Sequence, residues 1–199
     1  MKIILLALLF PFVCSAQNIK YKNVLSDGVS DSIAGTSIVL KNHEVIFQKV
    51  YTSGLRKEEL SSKLNTLLST TKMFRFNNDV IPMETEFFGR LINYPVDYRK
   101  YGGGQWTSLS MLSAPLNASV SIQVKDFKYR VVVSEMYFGR ARSAKDSVLS
   151  TINLLNGEIT QRRSSMFKTN KSAVKLANFI SLDLSDKFDL EKSYLSSDF

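Results

Sequence analysis

The chain has 199 residues, with one cysteine and one histidine, and its 26 lysine and arginine residues outnumber its 18 aspartate and glutamate residues, giving a formal net charge of +8. A single cysteine excludes a small fold held by several disulfides and leaves a thiolate metal site without its ligands. A single histidine, His43, leaves little scope for catalysis that depends on an imidazole base. The length suits one domain that buries its own core.

The first sixteen residues have the pattern of a secretory signal peptide. Lys2 supplies a charged start, residues 3–13 form a short apolar run, and residues 14–16 form a small-residue cleavage site. Cleavage after this site places the mature N-terminus at Gln17 and removes the only cysteine. We therefore predict an exported protein that has no thiol.

The same segment allows two alternatives, a lipid anchor and a membrane-spanning anchor. Acylation of Cys14 would give a lipoprotein, but Phe12 and Val13 stand where such a signal needs a small residue. A spanning helix needs about 20 apolar residues, and this run is interrupted by Pro11. We therefore favour cleavage and predict no transmembrane anchor.

The positive charge indicates which partners to expect. Loss of Lys2 on cleavage leaves 25 basic residues against 18 acidic ones, or +7, in the mature chain. In a cytoplasmic protein this excess would favour nucleic acid. For an exported protein we expect anionic lipid headgroups, an acidic polysaccharide or an acidic protein, and no nucleic acid. The charge also has a simpler interpretation, which is that it keeps the protein soluble.

The first part of the mature chain predicts a leader, a strand and a helix. Residues 17–35 are polar, so we expect a loosely held segment or an edge strand there, with the main domain at 36–139. The β-branched and aromatic run from Val45 to Tyr51 predicts a strand after a turn at 42–44. Leucines at helical spacing then predict an amphipathic helix: Leu55, Leu60, Leu64, Leu67 and Leu68.

Strands dominate the middle of the chain. Residues Glu86–Tyr94 predict a strand that ends at Pro95, and an irregular stretch at 96–116 follows it. Apolar residues that alternate with polar ones from Val120 to Val133, with a break at 126–128, predict a hairpin with one face on a core.

Residues 140–199 are predicted to extend the same domain. Apolar residues from 148 to 155 fit a helix, but Asn156 and Gly157 between two apolar runs fit a tight hairpin, which we favour. Helical spacing at 174–180 predicts a helix that continues, after a bend, towards Tyr194. This order of elements predicts an α+β fold, an antiparallel sheet with helices packed on one face.

Four motifs between residues 44 and 134 belong together: the strand end 47–51, the turn and helix start 53–60, the strand segment 89–92 and the hairpin 120–130. Together they resemble a family of exported Gram-negative domains of unknown function whose fold is like that of the TATA-binding protein. The resemblance implies that fold and a periplasmic or envelope location, but no activity and no catalytic residue. The family's hairpin turns on a glycine after the aspartate, whereas Phe127 stands there in this chain, so we expect a longer turn or one of another type. A fold shared with a DNA-binding protein does not predict DNA binding.

No constellation of catalytic or metal-binding residues is prominent. His43 lies in a predicted turn, and no GxSxG motif occurs in the chain. Glu84 and Glu86 share a face of an extended segment, which makes them the candidate pair for a carboxylate hydrolase. Three spaced aspartates lack the alternation and the glycine of a calcium loop, and we interpret them as a solvated face: Asp183, Asp186 and Asp189. We predict no catalytic residue, no metal and no cofactor.

The candidate binding residues are aromatic and basic. The glycine run 102–104 lies among large aromatic side chains, and we interpret it as a hinge that presents them to a partner: Tyr98, Tyr101 and Trp106. Aromatic faces stack on sugar rings or fill a partner's pocket. Arg140 and Arg142 add a basic cluster. We predict a non-enzymatic envelope protein that binds another protein or a glycan; the alternatives are a hydrolase that acts through Glu84 and Glu86, and a purely structural periplasmic subunit.

Overall fold

The computed structural model describes residues 28–77, 85–104, 110–139, 153–161 and 166–195. These residues form an eight-stranded antiparallel sheet in the order β1-β2-β3-β7-β6-β5-β4, with β8 paired to the end of β7. The strands are β1 Val29–Ser32, β2 Ile38–Lys41, β3 Glu44–Thr52, β4 Phe74–Phe76, β5 Glu86–Tyr94, β6 Leu116–Lys125, β7 Lys128–Phe138 and β8 Asn153–Leu154. The predicted strands at 45–51 and 86–94 and the hairpin at 120–133 are therefore confirmed.

Helices cover one face of this sheet. They are α1 Lys57–Thr70, α2 Leu155–Ile159, α3 Lys171–Lys187 and α4 Leu190–Leu195, with short 3-10 helices at Tyr98–Tyr101 and Ser110–Ser113. Alternate residues of the central strands, such as Phe47 and Val133, are fully buried beneath the helices, whereas Val50 is 54% exposed. The predicted α+β class, an antiparallel sheet with helices packed on one face, is confirmed.

The predicted leucine stripe of α1 is present with two differences: Leu55 lies before the helix, which begins at Lys57, and Leu67 is less buried than Leu68. Leu60 and Leu64 are fully buried and Leu68 is 1% exposed, while Leu67 is only partly buried. Helical periodicity places residues 60, 64 and 68 in one row, because successive members are four positions apart. The helix therefore packs on the sheet through the row of Leu60, Leu64 and Leu68, and Leu67 is a partly buried residue that also packs against the core.

Two stacked tyrosines join the sheet to the C-terminal helices. The rings of Tyr51 in β3 and Tyr129 in β7 have centroids 4.8 Å apart and an interplanar angle of 7°. The Tyr51 hydroxyl donates to the Ser185 carbonyl at 3.0 Å, and the Tyr129 hydroxyl donates to the Phe188 carbonyl at 2.7 Å while accepting from the Leu190 N–H at 3.1 Å. Burial raises the pKa of both phenols, so both remain donors at neutral pH.

Gly89 allows β4 and β5 to pack closely. A Cβ at this position would lie 2.2 Å from Cζ of Phe74 and 2.6 Å from the carbonyl oxygen of Arg75. The Phe74 ring, which is 3% exposed, therefore occupies the space that a side chain would need. The glycine in this strand is explained by that contact.

The turn between β6 and β7 has two residues, Asp126 and Phe127, because Lys125 pairs directly with Lys128. Phe127 has a φ of +62°, in the left-handed region that favours glycine. The expectation of a longer turn is therefore wrong, and Phe127 adopts the left-handed conformation within a two-residue turn. Backbone bonds from Phe127 N–H to the Leu55 carbonyl at 3.1 Å and from Ser53 N–H to the Phe127 carbonyl at 2.8 Å stabilise it.

The hairpin favoured at Asn156 and Gly157 is wrong. Both residues lie inside α2, which follows directly after β8. The Asn156 side chain accepts from the Val45 N–H at 3.0 Å, a tertiary bond that fixes the short helix against β3. The later helix prediction is confirmed, because α3 continues through residues 174–180 to Lys187 and α4 follows after a bend.

Two further features concern the N-terminal part and the membrane. Strand β1 lies inside the segment predicted as a polar leader and forms the edge of the sheet beside β2, so regular structure begins before Thr36. The predicted signal peptide, residues 1–16, lies outside the described residues. Among the helices that the structure describes, none has the length and apolar character needed to cross a membrane.

Candidate functional site

A charged cleft lies where the end of β5 and the following 3-10 helix meet α3. The chain leaves β5 at Tyr94, buries Val96, and turns at Asp97, whose side chain accepts from the Lys100 N–H at 3.3 Å. The Tyr98 ring then packs against Phe179 of α3, with centroids 6.1 Å apart. These contacts hold the 3-10 helix across α3 and leave an open cleft of about 230 Å³ beside it.

Eight residues line this cleft, and six of them carry formal charge. They come from the 3-10 region, from the C-terminal part of α3 and from α4: Tyr94, Asp97, Lys100, Tyr101, Asp183, Asp186, Lys187 and Lys192. Three carboxyl groups thus face three ammonium groups in a small volume.

Asp186 is fully engaged by its neighbours. Its Oδ2 accepts from the Tyr101 hydroxyl and from Nζ of Lys100, both at 2.8 Å, and its Oδ1 accepts from Nζ of Lys192. Burial alone would raise the pKa of this carboxyl, but the three donors outweigh it and hold the pKa well below its usual range. Asp186 is therefore a carboxylate that ties the 3-10 helix, α3 and α4 together.

Asp183 differs from Asp186 in both burial and bonding. It is 6% exposed, and its Oδ1 accepts from the Asp97 N–H at 3.2 Å. Its Oδ2 is buried and has no hydrogen-bond partner within the described part of the chain. Burial raises the pKa of this carboxyl, and the neighbouring Tyr94 hydroxyl and the Asp97 amide offset only part of that effect. Oδ2 is thus a buried acceptor that no donor of the described residues reaches at hydrogen-bond distance, which is a costly arrangement in a folded protein.

Lys187 and the two cleft tyrosines complete the electrostatics. Desolvation lowers the pKa of Lys187, with the Asp183 charge acting in the opposite sense. Among the described residues Lys187 forms no ion pair within 4.0 Å. Burial raises the pKa of Tyr94 and of Tyr101, so both hydroxyls stay protonated. Among the described residues of the cleft, Lys187 is therefore a cation without an ion pair, and Asp183 Oδ2 is a buried acceptor without a hydrogen-bond partner.

This arrangement offers a ligand both a hydrogen-bond acceptor and a positive charge. In the ranges that the structure describes, no three histidine, cysteine or acidic side chains are grouped so that they could hold a metal. Asp183 offers a hydrogen-bond acceptor, and Lys187 offers a positive charge. A ligand that carries both a donor and an anionic group would complete both.

The predicted aromatic site residues divide into two groups. Tyr98 and Tyr101 are partly buried and fold back on the domain, through Phe179 and through Asp186. Gly102 closes the 3-10 helix at a φ of +81°, and Gly103 lies where a Cβ would be 2.6 Å from the Tyr98 carbonyl oxygen. These two glycines thus have local structural roles. Three predicted binding residues lie outside the described residues: Trp106, Arg140 and Arg142.

The sequence interpretation of the spaced aspartates as a solvated face is wrong for Asp183. Leu176, Ile180 and Asp183 stand at helical spacing along one row of α3, and all three are buried. An aspartate on the apolar stripe of an amphipathic helix is the sequence signal that would have indicated a buried carboxyl. Lys187 lies one turn further along α3 from Asp183 and also lines the cleft, and the site residues predicted from the sequence do not include it.

The other predicted chemical groups lie away from this cleft. Glu86 accepts from Nε2 of Gln123 at 3.0 Å, a bond between neighbouring strands, and Glu84 lies outside the described residues. His43 is exposed at the two-residue turn between β2 and β3. Neither residue lines the cleft.

Comparison with known proteins gives a similarity in fold. No family model matches the chain, and no curated protein matches it. A TBP-like protein from Parabacteroides distasonis is similar in structure, with a TM-score of 0.46 and 12% identity over 75% of this chain and 94% of the other. A DUF4468 family protein from Bacteroides ovatus has a TM-score of 0.41 and 14% identity over 78% of this chain and 92% of the other. The resemblance stated from the sequence, to a domain of unknown function with a TATA-binding-protein-like fold, agrees with both descriptions.

Proposed function

We propose that this chain is a non-enzymatic binding protein of the cell envelope, which takes up a protein or glycan partner through the cleft between the first 3-10 helix and α3. The observation that carries the proposal is Asp183, which lines the cleft and whose buried Oδ2 has no hydrogen-bond partner among the described residues. Folded proteins satisfy nearly all buried polar atoms, so an unsatisfied one that faces a cleft marks a place for a ligand group. The N-terminal pattern of residues 1–16 supports export.

The state of Asp186 favours binding over catalysis. A carboxylate that acts as a base or a nucleophile needs an oxygen free to reach the substrate. Both oxygens of Asp186 already accept hydrogen bonds, from Lys100 and Tyr101 on one side and from Lys192 on the other. The group is thus suited to hold the walls of the cleft in place.

The binding role is tested by crosslinking in the native envelope. A photo-activated crosslinking residue replaces Arg99, which is exposed on the 3-10 helix beside the cleft, and the matched control carries it at Val50, on the opposite face of the sheet. We expect a discrete crosslinked species from position 99 and none from position 50. The same species from both positions, or from position 50 alone, would contradict a binding site at the cleft. Fractionation and intact mass of the native protein test the envelope location and the start at Gln17.

One observation favours a second candidate, a carboxylate hydrolase. Asp183 and Asp186 lie in one cleft, and their pKa values are shifted in opposite directions, a pattern that glycosidases use to keep one carboxyl group as a proton donor and the other ionised, where it stabilises developing positive charge. In this second candidate function Asp183 is the proton donor. Asp183 and Asp186 then take the place of Glu84 and Glu86, the pair that the sequence predicts for a carboxylate hydrolase. Release of reducing ends from envelope polysaccharide by the purified protein, abolished in Asp183→Asn, would favour it over the binding function.

A further inference from the structure

We propose that the cleft recognises one acidic sugar residue, a hexuronic acid unit of a polysaccharide, with a hydroxyl of the ring donating to Asp183 Oδ2 and the carboxylate of the ring accepting from Lys187. The inference rests on the proposed binding function and gives it a ligand class. It starts from two cleft groups, the buried Oδ2 of Asp183, which has no hydrogen-bond partner among the described residues, and the Lys187 ammonium group, which forms no ion pair with them.

The charges around these groups favour an anion over a cation. Asp186 is shared between Lys100 and Lys192, so that part of the cleft already holds more positive than negative charge. A ligand ammonium group placed against Asp183 would also lie close to Lys187 and would be repelled by it. A ligand carboxylate placed against Lys187 gains a charge-assisted hydrogen bond.

The acceptor at Asp183 requires a donor that brings no positive charge, and a hydroxyl group meets that requirement. Asp183 is 6% exposed, so the donor must enter the cleft and lose its own water. A sugar ring carries hydroxyl groups beside its carboxylate on one rigid frame, whereas the neutral donors of an acidic peptide are backbone N–H groups, which are separated from its carboxylates by flexible side chains. The pairing of an acceptor with a cation therefore favours a uronic acid over an acidic peptide.

The size of the cleft fits one unit of a longer chain. Its volume of about 230 Å³ is below the roughly 300–1,000 Å³ of pockets that enclose a whole small ligand. Two exposed lysines stand at its rim, with the Lys100 side chain 56% exposed and the Lys192 side chain 57% exposed. They are placed to meet further carboxylates as the polymer leaves the cleft. The net charge of +8 over the chain is of the sign that a polyanion requires.

The test measures binding of three probes to the mature full-length protein. The probes are an oligogalacturonate, a neutral galactose oligomer of the same length, and polyglutamate. The variants are Asp183→Asn and Lys187→Met, with Lys125→Met as a control that removes the same charge from an exposed position outside the cleft. Circular dichroism and melting temperature establish that each variant is folded.

We expect the oligogalacturonate to bind and the neutral oligomer to fail. Loss of one charge-assisted bond corresponds to about a tenfold weaker affinity for Lys187→Met, and Asp183→Asn is expected to weaken binding similarly. Lys125→Met should change the affinity less than about twofold. Equal losses for Lys187→Met and Lys125→Met would overturn the inference, because binding would then be a general charge effect. Stronger binding of polyglutamate than of oligogalacturonate would overturn it in favour of a peptide.

The two proposals fail in distinguishable ways. If no probe binds but position 99 still crosslinks in the envelope, the ligand class is wrong and the binding site at the cleft stands. If no probe binds and position 99 gives no crosslink, both proposals fall.

Discussion

The carboxylate of Asp126 accepts a hydrogen bond of 3.0 Å from the backbone N–H of Lys57, although the two residues are 69 positions apart in the chain. Lys57 is the first residue of α1, and the residue before it, Arg56, provides no side-chain cap. The turn between β6 and β7 thus supplies the N-terminal cap that the local sequence of the helix lacks. This bond fixes the start of α1 against the central hairpin.

Removal of this cap is expected to destabilise the fold. Asp126→Ala should lower the free energy of unfolding by about 1 kcal/mol, the usual contribution of an N-terminal capping side chain. Urea denaturation measures the change. Introducing Arg56→Ser in the same background supplies a local cap and should restore part of the loss. An unchanged stability in Asp126→Ala would contradict the capping role.

The left-handed conformation of Phe127 predicts a stabilising substitution. Phe127→Gly should raise the free energy of unfolding by roughly 0.5–1 kcal/mol, because glycine adopts a φ of +62° without strain and the ring is 53% exposed. Phe127→Ala is the control: it removes the same ring but keeps the Cβ, and it should bring no gain. Thermal melts of the two variants give the comparison, and equal effects would show that the ring, not the backbone, decides the outcome.

Gly89 and Gly54 form a matched pair for a test of close packing. Gly89→Ala should cost about 1–3 kcal/mol or more, since its Cβ meets the Phe74 ring and the Arg75 carbonyl. Gly54→Ala has no atom within 4 Å of its Cβ and should leave stability within about 0.5 kcal/mol. Denaturation of both variants in parallel tests the prediction. Similar losses at the two positions would mean that β4 does not pack on Gly89 as described.

The two stacked tyrosines should differ in their contribution to stability. Tyr129→Phe removes the partner of two buried backbone groups, the Phe188 carbonyl and the Leu190 N–H, whereas Tyr51→Phe removes the partner of one. Each unsatisfied buried group costs about 1–3 kcal/mol. Urea denaturation should therefore rank Tyr129→Phe below Tyr51→Phe in stability. The reverse order would argue against anchoring of the C-terminal helices by Tyr129.

The two cleft aspartates predict opposite dependences of stability on pH. The folded-state pKa of Asp186 is lowered. The stability that this carboxylate contributes is therefore present above the unfolded-state pKa and is lost as the pH falls through the folded-state pKa. The folded-state pKa of Asp183 is raised. The stability that this carboxyl group contributes is therefore present below the unfolded-state pKa and is lost as the pH rises through the folded-state pKa. Asp186→Asn should therefore destabilise the protein at about pH 7, and Asp183→Asn should stabilise it there, with a smaller gain at about pH 4.

Denaturation of the wild type and both variants at the two pH values decides this point. A stabilised Asp183→Asn would show that the native carboxyl lowers stability, as functional groups often do. Destabilisation of that variant at neutral pH, equal to that of Asp186→Asn, would instead mean that Oδ2 of Asp183 has a donor in the folded protein.

The elements that sequence reasoning identified are those with a strong local period. Apolar residues alternate in β6 and β7, and leucines recur at helical spacing in α1, because one face of each element is buried. Such a pattern can be recognised from neighbouring residues alone. The hairpin prediction for residues 155–159 is wrong because their helix depends on a distant contact, the hydrogen bond between Asn156 and the Val45 N–H. The local pair Asn156 and Gly157 favours a turn, and tertiary packing overrides that preference.

The cleft was harder to predict than the sheet. Its residues come from the end of β5, from a 3-10 helix and from two C-terminal helices, and no linear motif joins them. The aromatic ring makes Tyr101 a candidate from the sequence, whereas in the structure its hydroxyl makes the contact with Asp186. Aspartates are usually solvated, so the sequence predicts an exposed Asp183, and its burial follows from a helix register that only packing establishes.

The position of β3 in the sheet has a consequence for how the protein folds. Phe47 of β3 pairs with Val133 of β7, far along the chain, while β7 also pairs with β6 on its other side. The sheet therefore consists of an early part, β1 to β3, and a later part, β4 to β6, that only β7 joins. Pairing between distant segments slows folding, because the entropy cost of closing a long loop comes before the stabilising contacts between the strands can form. Until β7 arrives, the edge of β3 stays open to pairing with other chains, so the rate at which this one strand docks limits how long the growing molecule is prone to aggregate.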